Sequence, residues 1–177
     1  MPGFIAHIGK DKFPFAQSSE PDVIIEHMDS PLGYQIERRV AKQHLGDSLF
    51  IETGRYVIVL DGEVSNISEL MEKYKAFTWQ HCIAKMYESK GDTFFRKLIG
   101  SFAGLLYEKH KGIWLAFDCY GDDRHIYYAQ TEDGAFVSTD KDYLAQTKAN
   151  EVNTLPEGCY LLKMREQAFV ETEIKKK

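Results

Sequence analysis

The order of the short apolar segments most constrains the fold of this chain. These segments are rich in β-branched and aromatic residues and are separated by turn residues, a pattern typical of β-strands. Two stretches with helical spacing of apolar residues, 65–75 and 79–89, stand between an early and a late set of strands. The predicted strands are 4–8, 23–27, 34–40, 48–52, 56–60, 102–108, 113–119, 125–130, 135–139 and 160–164.

Strands, then a helix pair, then strands again predict an α+β protein with two packed sheets and helices outside them. Ser65 or Asn66 is placed to cap the first helix, and Gly91 is placed to end the second. The later strands are apolar over consecutive residues, so we expect both of their faces to be covered. Because no linker or repeat interrupts the pattern, residues 1–177 are predicted to form a single domain.

Composition and charge exclude several classes of protein. The 177 residues are 44% hydrophobic and 28% charged, unlike disordered, collagenous or coiled-coil chains. The net charge of −5 argues against nucleic acid as a partner. No apolar stretch approaches the ~20 residues that span a membrane, and no signal peptide precedes the first strand. Three distant cysteines, Cys82, Cys119 and Cys159, fit neither a disulfide framework nor a zinc knuckle. We therefore expect a reduced cytoplasmic protein.

Local motifs give little chemistry of their own. The sequence has no glycine-rich phosphate loop and no histidine or cysteine pair at metal-binding spacing. Asp118 with Asp122 and Asp123 has the composition of a Mg²⁺ site, but a solvated turn explains it better. Asp61-Gly62 is predicted to be a two-residue hairpin turn, because both residue types tolerate positive φ. We predict no metal and no cofactor.

Several segments in order nevertheless resemble one family. The segments are Met1-Pro2-Gly3-Phe4, Asp61-Gly62-Glu63-Val64-Ser65-Asn66, Gly100-Ser101-Phe102-Ala103-Gly104-Leu105-Leu106-Tyr107, Leu115-Ala116-Phe117-Asp118-Cys119-Tyr120-Gly121 with Ile126-Tyr127-Tyr128, Phe136-Val137-Ser138 with Tyr143-Leu144, and Leu155-Pro156-Glu157-Gly158. Together they resemble the glutaminase domain of asparagine synthetases, a class II glutamine amidotransferase. The resemblance implies the N-terminal-nucleophile (Ntn) hydrolase fold, a four-layer αββα sandwich of two antiparallel sheets.

The positions that the resemblance marks as active differ from the family pattern. Pro2 stands where the family has the cysteine that attacks the glutamine amide, and it has no nucleophilic side chain. Asp61 replaces the asparagine that donates a hydrogen bond to the oxyanion, and an ionised carboxylate only accepts. Trp79 replaces the aspartate that binds the substrate amine. Arg39, Gly62 and Glu63 match the family, and the resemblance makes them substrate-binding residues.

We therefore expect a catalytically inactive glutaminase-like domain that packs on or regulates an amide-forming partner of the asparagine synthetase type. The resemblance implies that this partner carries an ATP-pyrophosphatase domain, as a separate subunit or in a longer chain. The sequence leaves the oligomeric state open, and a homodimer is one option because domains of this family often pair. The first alternative is an active glutamine-hydrolysing subunit or domain of an asparagine synthetase. Two others are a Pro2 amine that reacts with carbonyl compounds and an amino-acid sensor built on Arg39 and Glu63 with Trp79 as a wall.

Overall fold

The computed structural model describes residues 3–9, 23–30, 33–41, 50–119, 124–132, 134–145, 147 and 151–175. Over the described residues the chain divides into two compact units, each assembled from two separate stretches of sequence. Unit 1 comprises residues 1–48 and 126–155, and unit 2 comprises residues 49–125 and 156–177. The prediction of one domain over residues 1–177 stays a prediction.

Unit 1 is built on a six-stranded sheet with strand order β10-β8-β9-β1-β3-β2. All of its strand pairs are antiparallel, and β1 lies between β9 and β3. A short helix, α3, packs Tyr143 and Leu144 into a small core with Ile5, Ala129 and Phe136. The elements are β1 (Gly3–Ile8), β2 (Val23–Ser30), β3 (Tyr34–Ala41), β8 (Tyr127–Thr131), β9 (Gly134–Ser138), α3 (Lys141–Ala145) and β10 (Asn153–Thr154).

Unit 2 is built on a second six-stranded antiparallel sheet with strand order β12-β11-β7-β6-β5-β4. Two helices and a 3₁₀ helix accompany this sheet. The elements are β4 (Phe50–Glu52), β5 (Tyr56–Val64), α1 (Ile67–Lys73), α2 (Trp79–Lys90), the 3₁₀ helix (Gly91–Lys97), β6 (Gly100–Glu108), β7 (Ile113–Asp118), β11 (Cys159–Met164) and β12 (Val170–Glu173).

The core of unit 2 forms where the helical segments cover the sheet. Cys82, Ile83, Met86 and Tyr87 are the buried residues of α2 and belong to one cluster with residues of β5, β6 and β7. Phe94 is fully buried and makes edge-to-face contacts with Tyr87 and with Phe117. Such aromatic pairs add about 0.5–1.5 kcal/mol each beyond the area they bury.

The α+β class and the two antiparallel sheets are confirmed, and most predicted strands and both main helices lie within two or three residues of their observed bounds. Consecutive burial in β6 and β7 also confirms that the late strands are covered on both faces. Two short strands, β10 and β12, were not predicted. No helix among the described residues is long and apolar enough to cross a membrane.

The interpretation of Asp61-Gly62 as a hairpin turn is wrong. β5 continues through both residues to Val64, and Gly62 pairs with Phe102 of β6. Gly62 does take a positive φ of 107°, but it uses this freedom inside a strand. An Asp-Gly dipeptide therefore occurs both in hairpin turns and where the backbones of two strands approach closely, and only the observed strand pairing distinguishes the two cases.

The prediction of a cap at Ser65 or Asn66 is right in position for Asn66 but wrong in mechanism. Asn66 occupies the N-cap position of α1, yet its side chain makes no capping hydrogen bond. Its amide donates to the carbonyl of Lys97 and accepts from the backbone N–H of Ile99, each at 2.9 Å. Asn66 thus ties the start of α1 to the segment that leads into β6.

Candidate functional site

Three of the predicted site residues, Asp61, Gly62 and Glu63, lie in sequence at the polar end of β5. The first five residues of this strand are buried, whereas Asp61 and Gly62 are half-buried and Glu63 is exposed. Because β5 changes here from buried apolar residues to polar ones, the carboxylates of Asp61 and Glu63 and the glycine between them lie at the edge of the core. This end of β5 is the candidate site in unit 2.

The backbone at this end requires glycine at two positions. A Cβ on Gly62 would lie 2.1 Å from the carbonyl oxygen of Ser101, and a Cβ on Gly100 would lie 2.1 Å from that of Glu63. Both glycines also have positive φ, 107° and 146°. No L side chain fits such contacts without moving the backbone, so β5 and β6 approach each other here only because both side chains are absent.

The carboxylate of Asp61 is paired with Arg124. A nitrogen of the Arg124 guanidinium, Nη1, donates to Oδ2 of Asp61 at 2.9 Å. Asp61 is 16% exposed and Arg124 37% exposed, so the pair is partly withdrawn from water. The aliphatic part of Arg124 lies over Gly62, with Cδ only 3.0 Å from where a Cβ would stand. The pair makes this part of the site electrically neutral.

Arg124 is the residue that reasoning from the sequence missed. It lies 63 positions after Asp61, and no periodicity or motif joins the two. The only signal available was a lone arginine directly after two aspartates, which predicts no particular partner.

Trp79 begins α2 in the same unit. Thr78 caps this helix, because its side-chain oxygen accepts the backbone N–H of His81 at 3.1 Å. The indole of Trp79 is half-buried and packs against the core cluster of unit 2. This contact is ordinary packing of a helix on its core, and the role of Trp79 in a pocket stays a prediction.

Arg39 lies in unit 1, where it lines a pocket with residues from three other elements or their ends. The cavity inside this pocket measures about 10 Å³, about the space that one water molecule requires. A larger ligand therefore binds here only at the open mouth of the pocket or after side chains move. The lining residues are Gly3, Phe4, Ile5, Glu37, Arg39, Ser138, Asp140 and Tyr143.

Inside this pocket the Arg39 guanidinium is held mainly by its stacking on Tyr143. Its carbon lies 3.9 Å from the centre of the Tyr143 ring, and the nearest oxygen of Asp140 is 4.0 Å from Nη1. The Nε atom is buried and has no hydrogen-bond partner among the described residues. Arg39 therefore keeps an unused donor beside the pocket, which a ligand oxygen would satisfy.

Tyr143 links Arg39 to a buried acid. Its hydroxyl donates to Oε2 of Glu37 at 2.7 Å, and Glu37 is only 1% exposed. Burial, followed by this hydrogen bond and the charge of Glu37, raises the pKa of Tyr143 to about 12, while Arg39 opposes the shift. The hydroxyl stays protonated at neutral pH and keeps the buried carboxylate hydrogen-bonded.

The beginning of β1 is fixed in the same unit. The backbone N–H of Phe4 donates to Oγ1 of Thr139 at 3.0 Å, and its carbonyl accepts from the hydroxyl of Ser138 at 2.8 Å. Pro2, the position that the sequence analysis aligns with the family nucleophile, lies outside the described residues.

Two of the three thiols, those of Cys82 and Cys159, have a raised pKa. Burial raises the pKa of Cys82, and burial with the nearby charges of Glu171 and Glu173 raises that of Cys159. Cys119 is half-buried, and its sulfur accepts the backbone N–H of Phe102 at 3.2 Å. Within the described part of the chain no group of three acidic, histidine or cysteine residues is placed to hold a metal ion.

The structure thus groups the predicted site residues into two sets. Asp61, Gly62 and Glu63 lie together on β5 in unit 2, to which Trp79 also belongs, whereas Arg39 lies in unit 1 with Asp140 and Tyr143. The substrate-binding roles of Arg39, Gly62, Glu63 and Trp79 stay predictions.

Residues 37–173 match a sequence family described as glutamine amidotransferase domain. None of the curated protein sequences matches the chain. Several solved structures share its fold at 9–11% identity. One is glutamine phosphoribosylpyrophosphate amidotransferase from B. subtilis in complex with ADP and GMP, with a TM-score of 0.63 over 81% of this chain. A second is an allosteric regulatory enzyme of purine biosynthesis, with a TM-score of 0.67 over 98% of this chain.

A third similar structure is a glutamine aminotransferase class-II domain protein from Silicibacter pomeroyi, with a TM-score of 0.57. The match covers 97% of this chain and 98% of that protein. By contrast, the chain spans only 35% and 43% of the two enzymes named first. These likenesses confirm the predicted class II, Ntn-hydrolase type of fold.

Proposed function

This chain belongs to the glutamine amidotransferase domain family, and from that premise we propose that it is a catalytically inactive copy of the domain. It packs on or regulates an ATP-dependent, amide-forming partner of the asparagine synthetase type. In this proposal the fold is retained for its surface and its packing, while the chemistry of glutamine hydrolysis is absent.

The pairing of Asp61 with Arg124 is the observation that carries the proposal. Opening an amide requires hydrogen-bond donors aimed at the oxygen that becomes negative, and the loss of one such donor costs ~10²–10³ in rate. Asp61 stands where the family resemblance expects the donor, and its carboxylate accepts a hydrogen bond from Arg124 at 2.9 Å. An acceptor that already has a cationic partner does not perform the role of the missing amide.

Two sequence positions support the same conclusion. Pro2 has no thiol or hydroxyl, so the covalent route that needs a side-chain nucleophile and an amine on one residue is closed to it. Cys82 and Cys159 are poor substitutes, because a raised pKa reduces the thiolate that would attack. Trp79 offers no carboxylate to a substrate amine.

The lengths of the similar structures support a partner. This chain spans only 35% of the B. subtilis amidotransferase and 43% of the allosteric regulatory enzyme, so in those two proteins a domain of this kind is joined to further structure. We infer that this chain likewise acts with a second domain or subunit. In this proposal the partner carries an ATP-pyrophosphatase domain, as the family resemblance implies.

A glutaminase assay tests the inactive state directly. The purified chain is incubated with glutamine, and glutamate is quantified against a reaction without protein. We expect no glutamate above the uncatalysed background. Turnover above background would overturn the proposal in favour of the active amidotransferase. A Cys119→Ser variant tested in parallel would then show whether Cys119 supplies the nucleophile.

Recovery of the partner tests the second half of the proposal. The tagged chain is used to capture proteins from native extract, and an unrelated domain of equal net charge serves as the control bait. We expect a protein with an ATP-binding loop of the Ser-Gly-Gly-x-x-Ser type to be enriched on this chain alone. Recovery of the chain with no such companion contradicts the regulatory role.

The unused donor of Arg39 favours a second candidate function, the sensing of a small amino acid. The pocket contains one cationic and one anionic group at its surface, Arg39 and Asp140, separated by 4.0 Å. A molecule that carries both a carboxylate and an ammonium matches this pair better than a simple anion does, because Glu37 adds a second negative charge nearby.

Titration with glutamine and glutamate tests the sensor. Binding is followed by NMR shifts of unit 1 residues in the wild type, in Arg39→Gln and in Arg165→Gln, a matched removal of an exposed arginine. The sensor predicts saturable shifts in the wild type and in Arg165→Gln but none in Arg39→Gln. The absence of binding at millimolar ligand ends this candidate.

A further inference from the structure

The geometry of unit 2 points to a guanidinium-binding cradle. We propose that Asp61 and Gly62 form this cradle and that the chain fills it with its own Arg124. The occupied cradle closes this end of the candidate site to outside ligands. The contacts of Arg124 do not depend on the proposed function. The inference that they block a former glutaminase site does rest on the proposed function.

Two different contacts define the cradle. The Asp61 carboxylate accepts the Arg124 Nη1–H at 2.9 Å, which satisfies charge and hydrogen bonding together. Gly62 supplies the second contact, because the space where its Cβ would stand is 3.0 Å from Cδ of Arg124. One residue therefore recognises the cationic head and the next makes room for the aliphatic stem.

Burial distinguishes this pair from an ordinary surface ion pair. Exposed pairs contribute a median of ~0–1 kcal/mol and form or break with little consequence. The Asp61 side chain is only 16% exposed although that of Arg124 is 37% exposed, and the backbone of Asp61 is held by its pairing with Ala103 of β6. A carboxylate that is fixed and partly desolvated binds a weakly hydrated, planar guanidinium better than a strongly hydrated ammonium.

The occupied cradle has two consequences for the candidate site. The charge of Asp61 is balanced by Arg124 within the chain, whereas Glu63 keeps an exposed carboxylate. Any ligand that approaches Gly62 from the side of Arg124 must displace the arginine stem first. Arg124 therefore acts as an intramolecular ligand of Asp61, the residue at which the family resemblance expects an oxyanion donor.

Chemical rescue tests the cradle. In Arg124→Ala the stem and the head of the arginine are removed, and methylguanidinium is added as a small replacement at constant ionic strength. Because a ligand that binds only the folded state stabilises it by mass action, we expect a saturable rise in the Tm of this variant by a few degrees. The matched control, Asp61→Asn with Arg124→Ala, should show no saturable rise, and methylammonium should be a weaker ligand.

NMR of the arginine side chains provides a second test that needs no loss of Arg124. Slow exchange or hindered rotation of the Arg124 guanidinium protons is expected in the wild type, in contrast to the exposed Arg96 and Arg165. This difference should vanish in Asp61→Asn. A guanidinium signal of Arg124 like that of Arg96, or equal rescue of the single and double variants, would overturn the cradle.

The two proposals fail separately. Glutamate release by the wild type would overturn the inactive state but leave the cradle standing if rescue is observed. Conversely, a chain with no glutaminase activity and no saturable rescue would retain the proposed function and lose the cradle.

Discussion

Replacing Gly100 with alanine tests how closely β5 and β6 approach at the candidate site. Gly100 is exposed, and an exposed substitution away from special features usually changes stability by no more than ~0.5 kcal/mol. Here the new Cβ would lie 2.1 Å from the carbonyl oxygen of Glu63 and 3.1 Å from Cα of Val64. Because both of those atoms belong to the backbone, no side-chain rotation relieves the clash.

The expected loss has two parts. A φ of 146° is a conformation that alanine adopts only at a cost of about 1–3 kcal/mol. The clash then forces the strand ends apart where Val64 faces Gly100 and Glu63 faces Ser101. Each backbone hydrogen bond lost there costs a further ~0.5–1.5 kcal/mol. With one hydrogen bond lost, the sum predicts that Gly100→Ala lowers the free energy of unfolding by about 1.5–4.5 kcal/mol.

Alanine substitutions at two other glycines of the same unit separate the cost of backbone strain from the cost of the steric clash. Gly91 has a positive φ of 74° but no atom within 4 Å of its Cβ position, so Gly91→Ala should cost only the conformational part. Gly54 has neither feature, so Gly54→Ala should be neutral or stabilising by up to ~1 kcal/mol. Urea unfolding of the three variants measures the series. A Gly100→Ala loss no larger than that of Gly91→Ala would refute the close approach.

Two further substitutions test the hydrogen bonds around the site residues. Tyr143→Phe should destabilise the protein by about 1.5–3 kcal/mol at neutral pH, because the buried Glu37 loses a donor to its charge. The pKa of Tyr143 is raised from 10.0 to about 12, so the stability that this group gives the wild type is complete below pH 10 and is lost between pH 10 and pH 12. The free energy of unfolding, measured across that range, should therefore fall less steeply with pH in Tyr143→Phe than in the wild type. Equal slopes would contradict the assignment. Thr78→Ala should lower the free energy of unfolding by about 0.5–2 kcal/mol through loss of the α2 cap, whereas Thr78→Ser should keep most of that stability. Equal losses in the two variants, measured by urea unfolding, would show that the hydroxyl does not cap the helix.

Much of the fold was predictable because its signals are local. The buried residues of α2 lie on one helical face, and Gly91 ends that helix with a positive φ, both as its sequence predicts. The strands were recognised by apolar runs whose length matches a single crossing of a sheet. The short strands β10 and β12 lack such runs, and they exist because neighbouring strands offer them free hydrogen-bonding edges.

The candidate site was predictable only in part. The sequence shows that residue 61 is an acid, but it does not identify the cation that pairs with this acid. Arg39 was recognised as a substrate-binding candidate, yet its stacking on Tyr143 and its unused Nε depend on the placement of α3 beside β3. Such contacts join residues that are far apart in sequence, and no local preference specifies them.

By itself, the sequence determined the succession of strands and helices and the lack of a thiol or hydroxyl on Pro2, because periodicity and side-chain chemistry are properties of the residues themselves. Only the tertiary structure decided that Asp61-Gly62 extends a strand instead of turning a hairpin and that Arg124 neutralises Asp61. The physical reason is that glycine permits positive φ in a strand as well as in a hairpin turn. A carboxylate likewise pairs with any cation that the tertiary structure places beside it. The register between β5 and β6 selects one outcome from those that the residues allow.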